Sequence, residues 1–166
     1  QYSDMEDVNK QLNETFSRLT NLVPDIPIPT VYAQIGALDQ SVVVGNQSIG
    51  ISLDKYLGSD YSLYKRFYTP DQRKNMNHQA IVPDCLSFYI LSLYPLKDFD
   101  TSSQLERDMH MGKIQWVTNR AMKKNVFNNN YVKTVGSYMR RTGVSVEDLL
   151  KENHYDRIIK ISDIAY

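Results

Sequence analysis

The N-terminal residues place their apolar side chains at the spacing of an amphipathic helix. They recur every three or four residues, at Val8, Leu12, Phe16 and Leu19. This spacing brings them onto one stripe of a helix. Asp4 precedes the stripe and has the short acidic side chain that suits a helix N-cap. The pattern predicts a helix over about residues 4–20. The prolines at 24, 27 and 29 then carry the chain on in an extended form.

The composition of residues 30–53 is typical of β-strands. Three short runs rich in Val, Ile and Thr are separated by residues that favour turns, and the runs cover 30–36, 41–45 and 48–53. Asp39-Gln40 and Gly45-Asn46-Gln47 supply the turns between them. Because consecutive strands with short connections tend to pair in order, we expect a small antiparallel β-meander.

From about residue 60 to the C-terminus the chain has the patterns of helices. The run 85–94, entered through Pro83, is apolar on nearly every face and includes Leu91. Such a run predicts a helix in the middle of the core. Asn128–Asn130 predicts a loop, and a later helix ends at Gly143, a residue type that favours helix C-termini. Ser145 with Asp148 resembles a capping box that opens a further short helix.

A long helix predicted from Ser102 or Ser103 to about Lys123 contains a glycine in its interior. Gly112 shares a face with Leu105, Met109 and Trp116. Glycine in a helix interior costs up to ~1 kcal/mol relative to alanine, so a physical requirement should explain it. We expect close approach of another backbone, that of the 83–94 helix. The alternative is that Gly112 and Lys113 line a ligand cleft.

Together these elements predict one α+β domain over residues 1–166. We expect it to be mostly helical, with an N-terminal helix at about 4–20, the β-meander at about 30–53 and a helical part at about 60–166. The mass of 19.2 kDa, with 42% hydrophobic and 23% charged residues, is that of an ordinary globular chain.

The charge balance excludes some partners. Nineteen basic and nineteen acidic side chains cancel, so the chain lacks the electrostatic footprint of a nucleic-acid or anionic-membrane binder. Residues 1–100 carry 8 basic and 12 acidic groups (−4), and residues 101–166 carry 11 and 7 (+4). The basic residues of the second part that suggest a weak basic face are Arg120, Lys123, Lys124, Arg140 and Arg141. The alternative is an ordinary solvated helix surface.

Histidine, cysteine and aspartate give no catalytic signature. His78, His110 and His154 are far apart, and none has the helical His-Glu-x-x-His spacing of a zinc site. The single cysteine, Cys85, lies in the apolar run, which favours a buried and inert thiol.

Three aspartates are candidates for a buried functional acid. Asp54 and Asp60 flank the Leu57-Gly58 corner, and Asp84 lies at a helix start. Loop capping and helix N-capping explain all three more simply.

Tyrosine is the one compositional oddity, at twelve of 166 residues. Four of them lie close together in sequence around Phe67, at Tyr56, Tyr61, Tyr64 and Tyr68. Tyrosine-rich surfaces suit protein or glycan contacts, so these residues form a candidate interaction surface. Half-buried core positions are the alternative.

Four segments resemble the gliding motility-associated lipoprotein B family. Residues 48–61 (SIGISLDKYLGSDY) closely resemble a stretch of that family. In the same order follow likenesses at 81–85 (IVPDC), 105–114 (LERDMHMGKI) and the tail 135–150, where VGSYM and VSVEDLL carry the likeness. The positions that carry the likeness are Gly50, Asp54, Tyr56, Leu57, Gly58, Gly112, Lys113 and Tyr138. Longer family members have an insert that is replaced here by residues 127–130.

The resemblance implies a bacterial lipoprotein at the cell envelope, facing the periplasm or the cell surface. It would be held to the membrane only through a lipidated cysteine upstream of Gln1, since the chain itself begins without an initiator Met or a secretion signal. The family is distantly similar to zinc metallopeptidases, which implies a zincin-like core. The zinc-binding helix of those peptidases corresponds to residues 82–91, where Ser87-Phe88-Tyr89-Ile90-Leu91 has neither histidine nor glutamate. We therefore expect no catalytic residue, no metal and no cofactor.

Three functional hypotheses follow. The first is a non-enzymatic envelope lipoprotein domain, a degenerate zincin-like scaffold that acts through contacts with envelope proteins and not with nucleic acid. The second is a peptidase-like hydrolase with an unrecognised site, which requires His110 to lie beside Asp54 or Asp84. The third is a peptide- or glycan-binding module, which requires Tyr61, Tyr64 and Tyr68 to be exposed on one surface.

Overall fold

The computed structural model describes residues 4–36 and 38–163, which contain eight α-helices and three β-strands. The helices are α1 (Glu6–Leu22), α2 (Tyr64–Phe67), α3 (Pro70–Arg73), α4 (Ile81–Leu93), α5 (Gln104–Met122), α6 (Asn130–Thr142), α7 (Val146–Lys151) and α8 (Tyr155–Ser162). The strands are β1 (Thr30–Gln34), β2 (Val42–Gly45) and β3 (Ser48–Ser52). The α+β class with a helical majority is confirmed.

The chain forms two compact units. The sheet unit consists of the chain before Arg18 together with Pro27–Tyr89, and the helical unit consists of Arg18–Ile26 together with Ile90–Tyr166. The strands lie in the sheet unit, and α5 to α8 lie in the helical unit.

The three strands form a mixed sheet, so the prediction of an antiparallel meander is wrong. Their order is β1-β3-β2: β2 and β3 form an antiparallel hairpin, whereas β1 pairs with β3 in parallel. The Asp39-Gln40 region does not turn β1 back onto β2. Instead, the Asp54 carboxylate accepts hydrogen bonds from the backbone N–H groups of Gly36 (2.8 Å) and Leu38 (2.7 Å), which fixes the loop after β1.

Helix α1 confirms the predicted N-terminal helix. Its apolar stripe is buried at every predicted position, Val8, Leu12, Phe16 and Leu19. The Asp4 carboxylate accepts a hydrogen bond from the backbone N–H of Glu6 at 2.9 Å. Asp4 thus satisfies a free N–H group of the first turn, although the helix begins at Glu6.

Helix α4 is buried around most of its circumference, as its all-round apolar sequence predicts. Ile81, Cys85, Leu86 and Ile90 are fully buried, whereas Leu91 is only half-buried. The Tyr89 hydroxyl donates to the backbone carbonyl of Pro27 at 2.6 Å.

Helix α5 begins at Ser103 in a complete capping box with Glu106, and its C-cap is Lys123 in the left-handed conformation. Both predicted ends are confirmed. The predicted neighbour of Gly112 is wrong: a Cβ at Gly112 would lie 2.5 Å from the Tyr131 Cβ, at the start of α6. Leu105, which the pattern places on the packed face, is half-exposed.

Helix α6 begins inside the predicted asparagine loop. The Asn129 side chain accepts the backbone N–H of Val132 at 3.0 Å, so Asn129 is an N-cap and Asn130 is already helical. The helix ends at Gly143 with a φ of 65°, as predicted. Ser145 caps α7 by accepting the backbone N–H of Asp148.

Candidate functional site: a basic cleft in the helical unit

The helical unit contains a cleft of about 1100 Å³. Its walls are the last turn of α1, the second half of α5, the connection 123–128 and one face of α6. Six of the lining side chains are basic and none is acidic, and the basic ones are Arg18, Arg120, Lys123, Lys124, Lys133 and Arg140. We call this the basic cleft.

Five of these cations have no carboxylate partner among the described residues. Arg120, Lys123, Lys124 and Lys133 are exposed and form no ion pair there. Arg140 donates only to the neighbouring Ser137 hydroxyl, at 3.1 Å. Arg18 has a structural role, since its guanidinium donates to the Ala121 carbonyl at the C-terminal end of α5 (3.0 Å). The cleft therefore concentrates positive charge that its own walls do not neutralise.

Trp116 supplies the aromatic surface of the basic cleft. It is half-buried, and the Arg120 guanidinium lies 5.7 Å from its ring. Gly136 makes room for the indole: a Cβ at Gly136 would lie 3.3 Å from Trp116 Nε1. Among the described residues the indole N–H forms no hydrogen bond, and its nitrogen lies beside Gly136.

Two asparagines hold the connection that forms the rim of the cleft. Asn119 donates to the Phe127 carbonyl at 2.8 Å and accepts the Phe127 backbone N–H at 3.0 Å. The Asn129 amide donates to Gln115 Oε1 at 2.8 Å. Lys123, in the left-handed C-cap, turns the chain out of α5 and into this connection.

The basic face predicted from the sequence is found here in modified form. Arg120, Lys123, Lys124 and Arg140 all line the cleft, whereas Arg141 donates to the Ile161 carbonyl (2.9 Å). Sequence reasoning missed Lys133 and Arg18. Lys133 lies two helical turns before Arg140 on the same face of α6, so the helical period alone would have identified it.

The four-tyrosine interaction surface is corrected by burial. Tyr56 and Tyr64 are fully buried, and Tyr68 is half-buried. Tyr61, 40% exposed, is the most accessible of the four. The Tyr64 hydroxyl donates to the Asp54 carbonyl and accepts the backbone N–H of Leu57, so it ties together the segment around it.

Asp84 is the one aspartate of the three with a perturbed, buried carboxyl. Burial raises its pKa to about 6, and a 2.8 Å hydrogen bond from the Tyr56 hydroxyl partly opposes that rise. Asp54 has a lowered pKa, because the N–H groups of Gly36 and Leu38 outweigh the effect of its partial burial. Asp60 is exposed and pairs with Lys65 at 3.6 Å.

The three histidines lie in three different environments. His78 binds the Asp7 carboxylate at 2.8 Å, and His154 binds Glu152 at 2.8 Å. His110 is buried, with its Nδ1 2.5 Å from the Tyr155 hydroxyl, and burial lowers its pKa to about 4. Within the described part of the chain, no three His, Cys, Asp or Glu side chains are grouped as metal ligands would be.

Lys113 and Cys85 are both buried. The Lys113 ammonium donates to the carbonyls of Leu150 (3.1 Å) and Glu152 (2.8 Å), and burial lowers its pKa to about 8. It therefore joins α5 to the end of α7 and does not line a ligand cleft. Burial raises the pKa of the Cys85 thiol to about 12, which makes it the unreactive thiol expected from the sequence.

Fold and site together define an α+β protein with a mixed three-stranded sheet and a helical unit that carries a basic cleft. The family model of the gliding motility protein GldB matches residues 1–128, so the chain belongs to this family of gliding-motility lipoproteins. The tail resemblance at 135–150 lies outside the matched residues. No curated protein and no solved structure matches the chain. No helix among the described residues is long and apolar enough to cross a membrane.

The positions that carry the family resemblance hold the fold together. The Asp54 carboxylate binds the loop after β1, and the Tyr56 hydroxyl binds Asp84. Gly58 adopts a φ of 111°, which residues other than glycine rarely adopt. At Gly50 a Cβ would lie 2.8 Å from the end of the Gln34 side chain on the neighbouring strand, which would have to shift. Tyr138 is buried. None of these residues lines the basic cleft.

Proposed function

We propose that this chain is the non-enzymatic domain of an envelope lipoprotein and that it acts through contact with a partner protein at the basic cleft. The observation that carries the proposal is the group of six cations around one concave surface, with no carboxylate in its walls. A protein gains little stability from keeping such like charges together, so their placement favours an anionic partner.

The sequence of α4 contains neither histidine nor glutamate, the residues that a zinc-peptidase helix requires, and this supports a role in binding. A degenerate zincin-like scaffold is part of this proposal, and its motivation is the distant similarity of the family to zinc metallopeptidases. The Ser87 hydroxyl donates back to the Pro83 carbonyl at 2.7 Å, and Tyr89 to Pro27. The two polar side chains of residues 87–91 thus form hydrogen bonds within the fold.

The alternative hypotheses gain no support from the geometry. His110 binds Tyr155 within the helical unit, while Asp54 and Asp84 have their partners within the sheet unit. A glycan- or peptide-binding tyrosine surface requires Tyr64 to be accessible, and it is fully buried.

Site-specific photocrosslinking in the source bacterium tests the proposal. A photoreactive residue replaces Asn125, which is exposed and lines the cleft, or Asn75, an exposed control in the sheet unit. We expect Asn125 to give a discrete adduct in the envelope fraction whose attached mass is a protein, and Asn75 to give none.

Charge reversal supplies the specificity control. The adduct from Asn125 should decrease at least tenfold when Lys124→Glu and Lys133→Glu are introduced together, at an unchanged level of the lipoprotein. No adduct, an adduct that is not protein, or an equal adduct from Asn75 would contradict the proposed function.

A further inference from the structure

The basic cleft has a geometry that restricts the kind of anionic partner it accepts. On α6, Lys133, Gly136, Ser137 and Arg140 are spaced i, i+3, i+4 and i+7 and all line the cleft. The backbones of the two cationic residues are therefore on one face, about 10.5 Å apart along the helix axis. Gly136 lies between them on the helix, and both Trp116 Nε1 and the Arg140 guanidinium are next to it, at 3.3 and 3.4 Å from the position of a Gly136 Cβ.

An extended peptide in the polyproline II conformation matches this spacing. Such a peptide has three residues per turn and rises ~3.1 Å per residue, so side chains at i and i+3 lie on one face about 9 Å apart. Its backbone carbonyls are free to accept hydrogen bonds. Aromatic-lined grooves are the usual docking sites for peptides of this conformation.

We infer that the basic cleft binds an extended acidic segment of the partner protein, with two carboxylates three residues apart that pair with Lys133 and Arg140 beside Trp116. The inference rests on the proposed function, because it names the chemistry of the same partner. The Arg140 guanidinium suits a carboxylate, whose two oxygens match its planar fork of donors. The Trp116 indole N–H and the exposed amides of Asn125 and Asn128 supply the donors for the peptide carbonyls.

The remaining cations add attraction along the rim. Arg120, Lys123 and Lys124 lie at the end of α5 and in the connection after it, all exposed. Their charge draws an acidic segment toward the cleft over a distance comparable to the Debye length, about 10 Å at 0.1 M salt. Binding should consequently weaken as salt rises.

Trp116 provides a direct readout because it is the only tryptophan among the 166 residues. The full chain is titrated with a peptide carrying Glu-Pro-Pro-Glu, with the same peptide carrying Gln-Pro-Pro-Gln, and with an isomer in which the two Glu are adjacent. We expect saturable change of Trp116 fluorescence with the first peptide, at a Kd at least tenfold lower than for the other two.

A pair of matched double variants locates the binding. Lys133→Glu with Arg140→Glu should raise the Kd at least tenfold, and Arg66→Glu with Lys74→Glu, two exposed cations of the sheet unit, should leave it within twofold. Unaltered far-ultraviolet circular dichroism establishes that each variant is folded. The salt dependence of the unsubstituted chain gives a further check that needs no variant.

Several results would overturn the inference. They are equal binding of the Gln peptide or the adjacent-Glu isomer, an unchanged Kd in the cleft variant, and binding of a sulfated oligosaccharide or oligonucleotide more than tenfold tighter than that of the acidic peptide. If the crosslink from Asn125 is a protein while the acidic peptide fails, the proposed function stands and this inference falls. If the acidic peptide binds but no protein is crosslinked, the proposed function fails.

Discussion

At the scale of single residues, three buried ionisable side chains are held by hydrogen bonds within the fold. Lys113, His110 and Asp84 are ionisable side chains removed from water, and each has a partner within its own unit. Burial opposes the charged form of each of them, which is why the pKa of the two bases falls and that of the acid rises. Groups of this kind mark functional sites in many enzymes, but here the contacts account for them as structural.

The Asp84 carboxyl gives a pH-dependent prediction. Its pKa is about 6 in the folded chain against an ordinary 3.8, so the folded state holds the proton more tightly. The stability that this provides is present below pH 3.8 and is lost as the pH rises through 6. We expect Asp84→Asn, which keeps an acceptor for Tyr56, to raise the free energy of unfolding by about 1–3 kcal/mol at pH 7.5 and to have little effect near pH 3.5.

Asp54→Asn is the matched control, measured by urea unfolding at both pH values. The Asp54 pKa is lowered in the folded state, so its carboxylate stabilises the fold above its ordinary pKa, and the substitution should destabilise at pH 7.5. Equal effects of the two substitutions at pH 7.5 would show that the Asp84 environment is misassigned.

At the scale of elements, the helices and their ends were easier to predict than the way in which the strands pair. The stripe of α1, the all-round apolar α4 and the caps at Ser103 and Gly143 are local signals, because a cap or a periodic stripe depends on residues within a few positions. The order of the strands is not local. It depends on Asp54 binding the loop after β1 from 16 to 18 residues away, and no short-range pattern records that contact.

Gly112 shows the same division between a local signal and a distant partner. A glycine inside α5 predicts that another segment of the chain packs closely against it, but the sequence does not show which segment. We expect Gly112→Ala to lower the free energy of unfolding by about 1–3 kcal/mol, although alanine is the better helix former, because the new Cβ would lie 3.0 Å from the backbone carbonyl carbon of Tyr131.

A double-mutant cycle assigns the cost to that contact. In a chain that already carries Tyr131→Gly, which removes the opposing Cβ, the same Gly112→Ala substitution should cost clearly less. Thermal and urea unfolding give both values. A stability gain from Gly112→Ala alone would contradict the close approach of α5 and α6.

At the scale of the whole molecule, the residues that carry the family resemblance belong to the fold, and a different set of residues forms the basic cleft. The positions that identify the family lie at turns, close approaches and buried hydrogen bonds, so they determine how the chain folds. The cleft residues have no motif, and the sequence yielded four of them only as an uneven charge distribution. Lys133 shares the α6 face of Arg140 and follows from the helical period, whereas Arg18 could not be added without knowing which helix faces surround the cleft. The fold class and the family could therefore be predicted, whereas the strand order could not and the site only in part.

The most direct test of the account is where an acidic ligand binds on the molecule. The ¹⁵N-labelled full chain is titrated with the Glu-Pro-Pro-Glu peptide, and amide and indole chemical shifts are mapped. The account predicts saturable shifts of the Trp116 indole N–H and of amides at 119–128 and 133–140, with those of β1 to β3 unchanged. Shifts concentrated in the sheet unit, for example around Tyr61 and Phe67, would contradict the account.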